Sequence, residues 1–158
     1  SPVFGGVYKL VAVEEPTSGE IIPKIKVSEN TTKITNPHFK KLYRYYDNES
    51  GKALADELCV YDEVIDFSKP HTIFDQNATW KAKTLTDFTA KELLVPIFKD
   101  GECVYESPKI EDIAKYCKDQ IGLLWDEVKR FENPHNYYVD LSKKLWDIKN
   151  ILLNIYQS

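Results

Sequence analysis

The stretch from Lys24 to Tyr46 gathers six basic side chains, Lys24, Lys26, Lys33, Lys40, Lys41 and Arg44, against a single acidic one, Glu29. The whole chain has a formal net charge of -4, so this basic stretch is embedded in an otherwise acidic protein. The chemistry it suits is anion recognition. A lysine acts as a point charge toward phosphate, and an arginine offers a planar fork that can take two oxygens at once. Lys24, Lys26, Lys40, Lys41 and Arg44 are therefore the candidate ligands for the phosphate of a substrate or nucleotide. The same residues also fit a plainer reading, which is preferred: solvated lysines on a strand face and a loop, or a dock for an acidic neighbouring domain. A nucleic-acid surface is not expected, because the basic stretch carries no recognised nucleic-acid-binding signature.

Other reactive residue types do not assemble into a centre. His38, His71 and His135 lie far apart, with no Cys, Asp or Glu at metal-ligand spacing, so each is expected at the surface or in a capping role. Glu14 and Glu15 are neighbours, and in a strand they would point to opposite faces. Gly5-Gly6 precedes a strand, whereas a phosphate-binding loop follows one and opens a helix. Cys59, Cys103 and Cys117 form no CxxC pair and are odd in number. They read as buried or half-buried free thiols of a cytoplasmic, reducing compartment. No Ser-His-Asp or Cys-His set can be built, so neither a catalytic residue nor a metal ligand is expected.

The elements that position these residues divide the chain. The first two-thirds read as antiparallel strands and hairpins, the last third as two packed helices, which makes the expected class α+β. Strands are expected over Val7 to Val13, Ile21 to Val27, Phe39 to Tyr46 and Ala53 to Tyr61. The last two are joined through the polar loop Asp47-Asn48-Glu49-Ser50-Gly51. The aromatic run Tyr43-Arg44-Tyr45-Tyr46 favours a pleated surface. Leu93 to Phe98 and Glu102 to Tyr105 flank Asp100-Gly101, a pair suited to a tight primed turn, with Trp80 to Leu85 as a further strand beside them. Pro96 places Leu93 to Phe98 at a sheet edge. Ser107 and Pro108 then announce a helix, as N-cap and first residue, with Glu111 and Asp112 in its first turn. Ile110, Ile113, Ala114, Cys117, Ile121, Leu124, Trp125 and Val128 make one buried stripe running to about Phe131. Leu141, Leu145, Ile148, Leu152 and Ile155 make a second.

With 158 residues the chain suits one domain with a real core, and no run of 18 apolar residues would span a membrane. It contains no Met and opens within three residues on Phe4-Gly5-Gly6-Val7-Tyr8-Lys9-Leu10-Val11, an apolar β-rich run. It reads as the downstream piece of a longer protein, its first strand exposed at an edge or paired differently from its place in the whole.

That opening run resembles the Leu-Gly-Gly-Val-Tyr-Lys-Leu-Val of nicotinate phosphoribosyltransferases, just after the last phosphate-binding glycine loop of the barrel. Pro23 through Lys33, Thr35, Pro37, Lys40 and Arg44 are similar to the family's Lys-(Leu/Ile)-Ser-Glu … Lys … Thr-x-Pro-Gly-x-Lys … Arg pattern, and Gly51 and Ala55-Asp56 follow in order. Arg130, Asn133-Pro134-His135, Tyr137-Tyr138-Val139, Leu141-Ser142 and Leu145 resemble its closing Arg … Asn-Pro-His-x-Tyr-x-Val-x-Leu-Ser-x-x-Leu. One departure is Pro37-His38, where the family has Pro-Gly, so a left-handed glycine is not available at that turn.

The resemblance implies the C-terminal third of such an enzyme: a strand leaving the upstream barrel over residues 1–22, then a C-terminal α+β domain over 23–158. It implies a parent that joins nicotinate to phosphoribosyl pyrophosphate, giving nicotinate mononucleotide and pyrophosphate for NAD synthesis. ATP, with Mg2+, drives the step through a phosphorylated histidine. None of the upstream reactive groups maps onto this chain. It is expected to bind no cofactor itself, and its partners are the upstream catalytic domains and, in the parent, a second copy.

Overall fold

The computed structural model describes residues 5–156, and its class is α+β. A four-stranded sheet organises the chain. Strand β3 (Lys40–Asp47) lies antiparallel to β4 (Ala53–Val60) on one side and to β7 (Phe88–Glu92) on the other, and β10 (Val139–Leu141) closes the far edge parallel to β4. The turn between β3 and β4 forms as its residues dictate. Gly51 takes φ +68°, its N–H reaches the Asp47 carbonyl at 2.8 Å, and the Asp47 carboxylate accepts from Ser50 N at 2.8 Å. One register shift between Tyr45 and Tyr46 bulges β3.

Each face of β4 carries its own core. Tyr45 and Ala55 face Ile73 and Leu85, with Phe67 and Phe88 edge-on to Tyr45. This layer is supplied by β5 (His71–Phe74) and β6 (Ala82–Leu85), an antiparallel hairpin. The second core is Val60, Leu141 and Leu145, with Trp146 and Ile148 packed against it. It is covered by α3 (Lys143–Tyr156), whose first turn is held by Leu145 N donating to Ser142 Oγ at 3.2 Å.

Several expected elements differ. The first strand shrinks to β1 (Ala12–Glu14), paired with β2 (Ile21–Pro23), and Val7, Tyr8 and Leu10 lie exposed outside it. Phe4 lies outside the described residues. The shortening has a cause: Lys24 N and His38 N both donate to the Val11 carbonyl, so a loop takes the place of a long partner strand. β2 stops at Pro23, which has no N–H to give, and Lys26 N turns instead to Thr35 Oγ1.

No strand forms over Leu93 to Val95. The pairing with β3 is made by Phe88–Glu92, which alternates Phe88 and Ala90 toward the core. The Asp-Gly turn appears as expected, with φ +51° at Asp100 and +82° at Gly101, but between strands of two residues each, β8 (Phe98–Lys99) and β9 (Glu102–Cys103). The strand expected from Trp80 begins at Ala82 and pairs with β5 rather than with Leu93 to Phe98.

The helices are corrected more deeply. Helix α1 (Ile110–Gly122) starts after Lys109, so Ser107 is not its cap, and it ends at Gly122. Asp126–Lys129 is a separate turn, α2. The stripe expected to be buried is largely open: Ile110 is 80% exposed, and Ile113, Ile121 and Trp125 are exposed as well, as is Tyr116 beside them. Cys117 is exposed, as is Cys103, and only Cys59 of the three thiols is buried. Leu141, expected to open the last helix, is a strand residue, and Ile155 is exposed.

Asp140, beside Leu141, faces the other way and is 5% exposed. Burial first, then the charges of Asp75 and Glu57, push its carboxyl up to about 6. A raised carboxyl pKa favours the fold fully below the unfolded value near 4, and that contribution is lost as pH rises through 6. Urea titrations should therefore show stability falling across pH 4 to 7 by up to about 3 kcal/mol from this group, and Asp140→Asn should flatten the fall. A profile unchanged by the substitution contradicts this.

Candidate functional site

The one basic residue of the Lys24–Tyr46 stretch set into a polar cluster is Arg44. Register places it opposite Asp56 across β3 and β4. Its Nε and Nη2 donate to Asp56 Oδ1 and Oδ2 at 2.7 and 2.8 Å, a two-point clamp on a carboxylate that is 8% exposed at its side chain. Tyr137, two residues before β10 begins, donates its hydroxyl to Asp56 Oδ1 at 2.9 Å, and its ring lies 5.9 Å from the guanidinium carbon. Gln120 on α1 accepts from Arg44 Nη1 at 3.2 Å and from the Tyr46 hydroxyl at 3.4 Å. The Asp56 bond holds Arg44 firmly charged, and burial beside Asp56 keeps the Tyr137 phenol protonated. This cluster floors a groove whose walls include Ile113, Tyr116 and Ile121 of α1, with Leu93 and Val139 opposite. The arrangement positions α1 over the sheet through polar contacts while leaving an apolar wall open.

The other four candidate ligands do not join Arg44. Lys40 spends its ammonium on the carbonyls of Asn36, Pro37 and His38, at 2.9, 3.2 and 2.6 Å, and burial lowers its pKa. It lies on the same face of β3 as Arg44 but four residues away, roughly 13 Å along a strand. Lys41 falls on the opposite face by alternation. Lys24 and Lys26 are exposed in the segment after β2. His38, where the glycine of the family turn is missing, takes the left-handed conformation itself at φ +77°, so the turn is kept with a side chain buried against Tyr61.

His71 corrects a further expectation. It is neither a surface nor a capping residue: its Nε2 lies 2.7 Å from Glu57 Oε2, which also accepts from the Tyr45 hydroxyl at 2.5 Å. Glu57 is 2% exposed. Asp56 and Glu57, adjacent in β4, thus serve opposite faces, one for each polar cluster. The readable signal for both was two carboxylates in a strand that is otherwise apolar. Burial first, then the charge of Glu57, push the Cys59 thiol up and keep it protonated. No group of three or more His, Cys, Asp or Glu able to hold a metal occurs among the described residues, and no described helix is long and apolar enough to cross a membrane.

Comparison with known proteins places this architecture. The family described as nicotinate phosphoribosyltransferase C-terminal domain matches residues 39–149. Nicotinate phosphoribosyltransferase of Bacillus subtilis (strain 168) is 40% identical over 148 residues, covering 94% of this chain and 30% of that protein. The enzyme of Dictyostelium discoideum is 31% identical, covering 92% of this chain and 25% of its own length. The chain therefore spans less than a third of the curated relatives it matches. A crystal structure of human nicotinic acid phosphoribosyltransferase shares the fold, with a TM-score of 0.64 at 20% identity, over 78% of this chain and 24% of that one. The matched span contains all four strands of the central sheet and both of its cores, and the chain belongs to the nicotinate phosphoribosyltransferase C-terminal domain family.

Proposed function

We propose that this chain is the C-terminal domain of a nicotinate phosphoribosyltransferase and that it serves assembly rather than chemistry. In this reading the whole enzyme makes nicotinate mononucleotide and pyrophosphate from nicotinate and phosphoribosyl pyrophosphate with ATP and Mg2+, in the cytoplasm and as a homodimer. The reacting groups lie upstream, and this domain binds no cofactor of its own. The observation that carries the reading is the open apolar face of α1, continuous with Leu93, Val95 and Tyr105 along a second groove beside Ile113 and Tyr116. Monomeric surfaces seldom leave so extended an apolar band uncovered, and the upstream domains are the occupant this reading assigns to it. The commitment of Lys40 and Arg44 to internal partners favours this role over a phosphate site built on Lys24, Lys26, Lys40, Lys41 and Arg44.

Ile113→Asp with Tyr116→Asp tests it. In the full-length enzyme the pair should cause loss of assembly and at least a tenfold fall in nicotinate mononucleotide formation. In the free chain the same pair should shift the melting temperature by no more than a few degrees, since neither residue belongs to a core. Full activity of the double variant in the whole enzyme refutes the assignment.

A further inference from the structure

A cavity of about 340 Å3 opens between the β5–β6 hairpin and the approach to β10, away from the α1 groove. Its lining includes Phe74, Asp75, Trp80, Tyr138 and Asp140, with Lys81 and Lys83 also contributing. Asp140 is more than nine-tenths buried as a residue, and among the described residues no hydrogen bond or ion pair reaches its carboxylate, whose oxygens are not sealed from solvent but open to the cavity they line. Asp75 Oδ1 accepts from Asn77 N at 2.8 Å, which leaves its second oxygen uncommitted. Trp80, at the tip of the hairpin, is 80% exposed, and Tyr138 is exposed across from it.

From the buried, unpartnered Asp140, with Asp75 and the rings of Trp80, Tyr138 and Phe74 around one cavity, we propose that this pocket binds a guanidinium or alkylammonium group on a slender chain. A largely buried carboxylate that meets only cavity solvent, with no protein donor, is poorly compensated, and a cation entering the cavity would complete it. Aromatic faces beside a carboxylate add attraction for the same charge. The volume fits a guanidinium with a short alkyl stem and lies at the lower end of ligand-pocket sizes. The groups that face Asp140 from the packed elements reinforce the preference: Glu57 on β4, itself bonded to Tyr45 and His71, and Asp75 after β5. Lys81 and Lys83 also line the cavity, but neither forms an ion pair with Asp140. The elevated carboxyl of Asp140 agrees with a site whose counter-charge comes from outside. The cation has two possible sources, a free small molecule or an arginine or lysine side chain of another polypeptide segment, and both present the same chemistry.

Isothermal titration of the chain at pH 7.5 with ethylguanidinium, with a capped Gly-Arg-Gly peptide and with neutral ethylurea tests the site. Saturable binding of at least one of the two cations and none of ethylurea is expected. Preference for the peptide would identify a protein side chain as occupant, and preference for ethylguanidinium a free ligand. Asp140→Asn should weaken binding at least tenfold and Asp75→Asn several-fold, while Asp62→Asn, at an exposed pair with Lys144, should change nothing. Lowering the pH to 5 should weaken wild-type binding several-fold. Absence of binding by both cations, an equal response to ethylurea, or unchanged affinity in folded Asp140→Asn overturns the proposal.

Discussion

Asp56→Ala is expected to destabilise the domain by about 3 kcal/mol, with a matching fall in the urea midpoint. Asp56 is the point on which the Arg44 fork and the Tyr137 hydroxyl converge. Its removal leaves a guanidinium whose side chain is 19% exposed facing a sheet with no counter-charge, and a phenol with no acceptor. Breaking one side of a buried pair costs about 3–5 kcal/mol, and partial access of water to Arg44 sets the lower end here. Arg44→Lys keeps the charge but loses the two-point geometry, so it should cost about half as much. A loss below about 1 kcal/mol for Asp56→Ala would reduce the clamp to an ordinary surface ion pair.

Leu145→Ala should cost about 2–5 kcal/mol, since Leu145 is fully buried against Val60 and Leu141 where α3 meets the sheet. Lys143→Ala, two residues earlier, should change stability by less than about 0.5 kcal/mol, because its contacts with Asp147 and the Trp146 ring are made at the surface. Paired chemical denaturation of the two variants is decisive. Equal effects would remove the assignment of the buried face of α3.

What could be read from the sequence, and what could not, follows from the range of each signal. The β3–β4 hairpin was legible because aromatic residues, a polar loop and Gly51 all act within a few residues of one another. So was the Asp100-Gly101 turn. The stripe of α1 was legible as a helix but not as an exposed face. Periodicity reports that a surface is apolar, and it is silent on whether the covering partner lies in the same stretch of chain. Leu141 shares its spacing with Leu145 and so passed for helix. Its place in β10 depends on parallel pairing with β4, a contact about eighty residues away in sequence, with Leu58. Arg44 stood out by charge, but its partner Asp56 is selected by cross-strand register. The His71–Glu57–Tyr45 cluster needed the packing of β5 on the sheet, which no local pattern announces. The left-handed turn at His38 shows the converse: a backbone conformation expected to need glycine is held by the hydrogen bonds around it, with His38 N on Val11 and Lys40 on the His38 carbonyl.

In the function proposed above, the domain supports a phosphoribosyltransferase without supplying its reacting groups. Transfer of a phosphoribosyl group needs an anchored pyrophosphate, stabilisation of the developing cation and a positioned nicotinate ring. Purified chain 1–158, incubated with nicotinate, phosphoribosyl pyrophosphate and Mg-ATP beside the full-length enzyme, should form no nicotinate mononucleotide where the full-length enzyme forms it readily. Turnover by the chain itself, free of full-length contaminant and abolished by Lys40→Ala with Arg44→Ala, would contradict the claim.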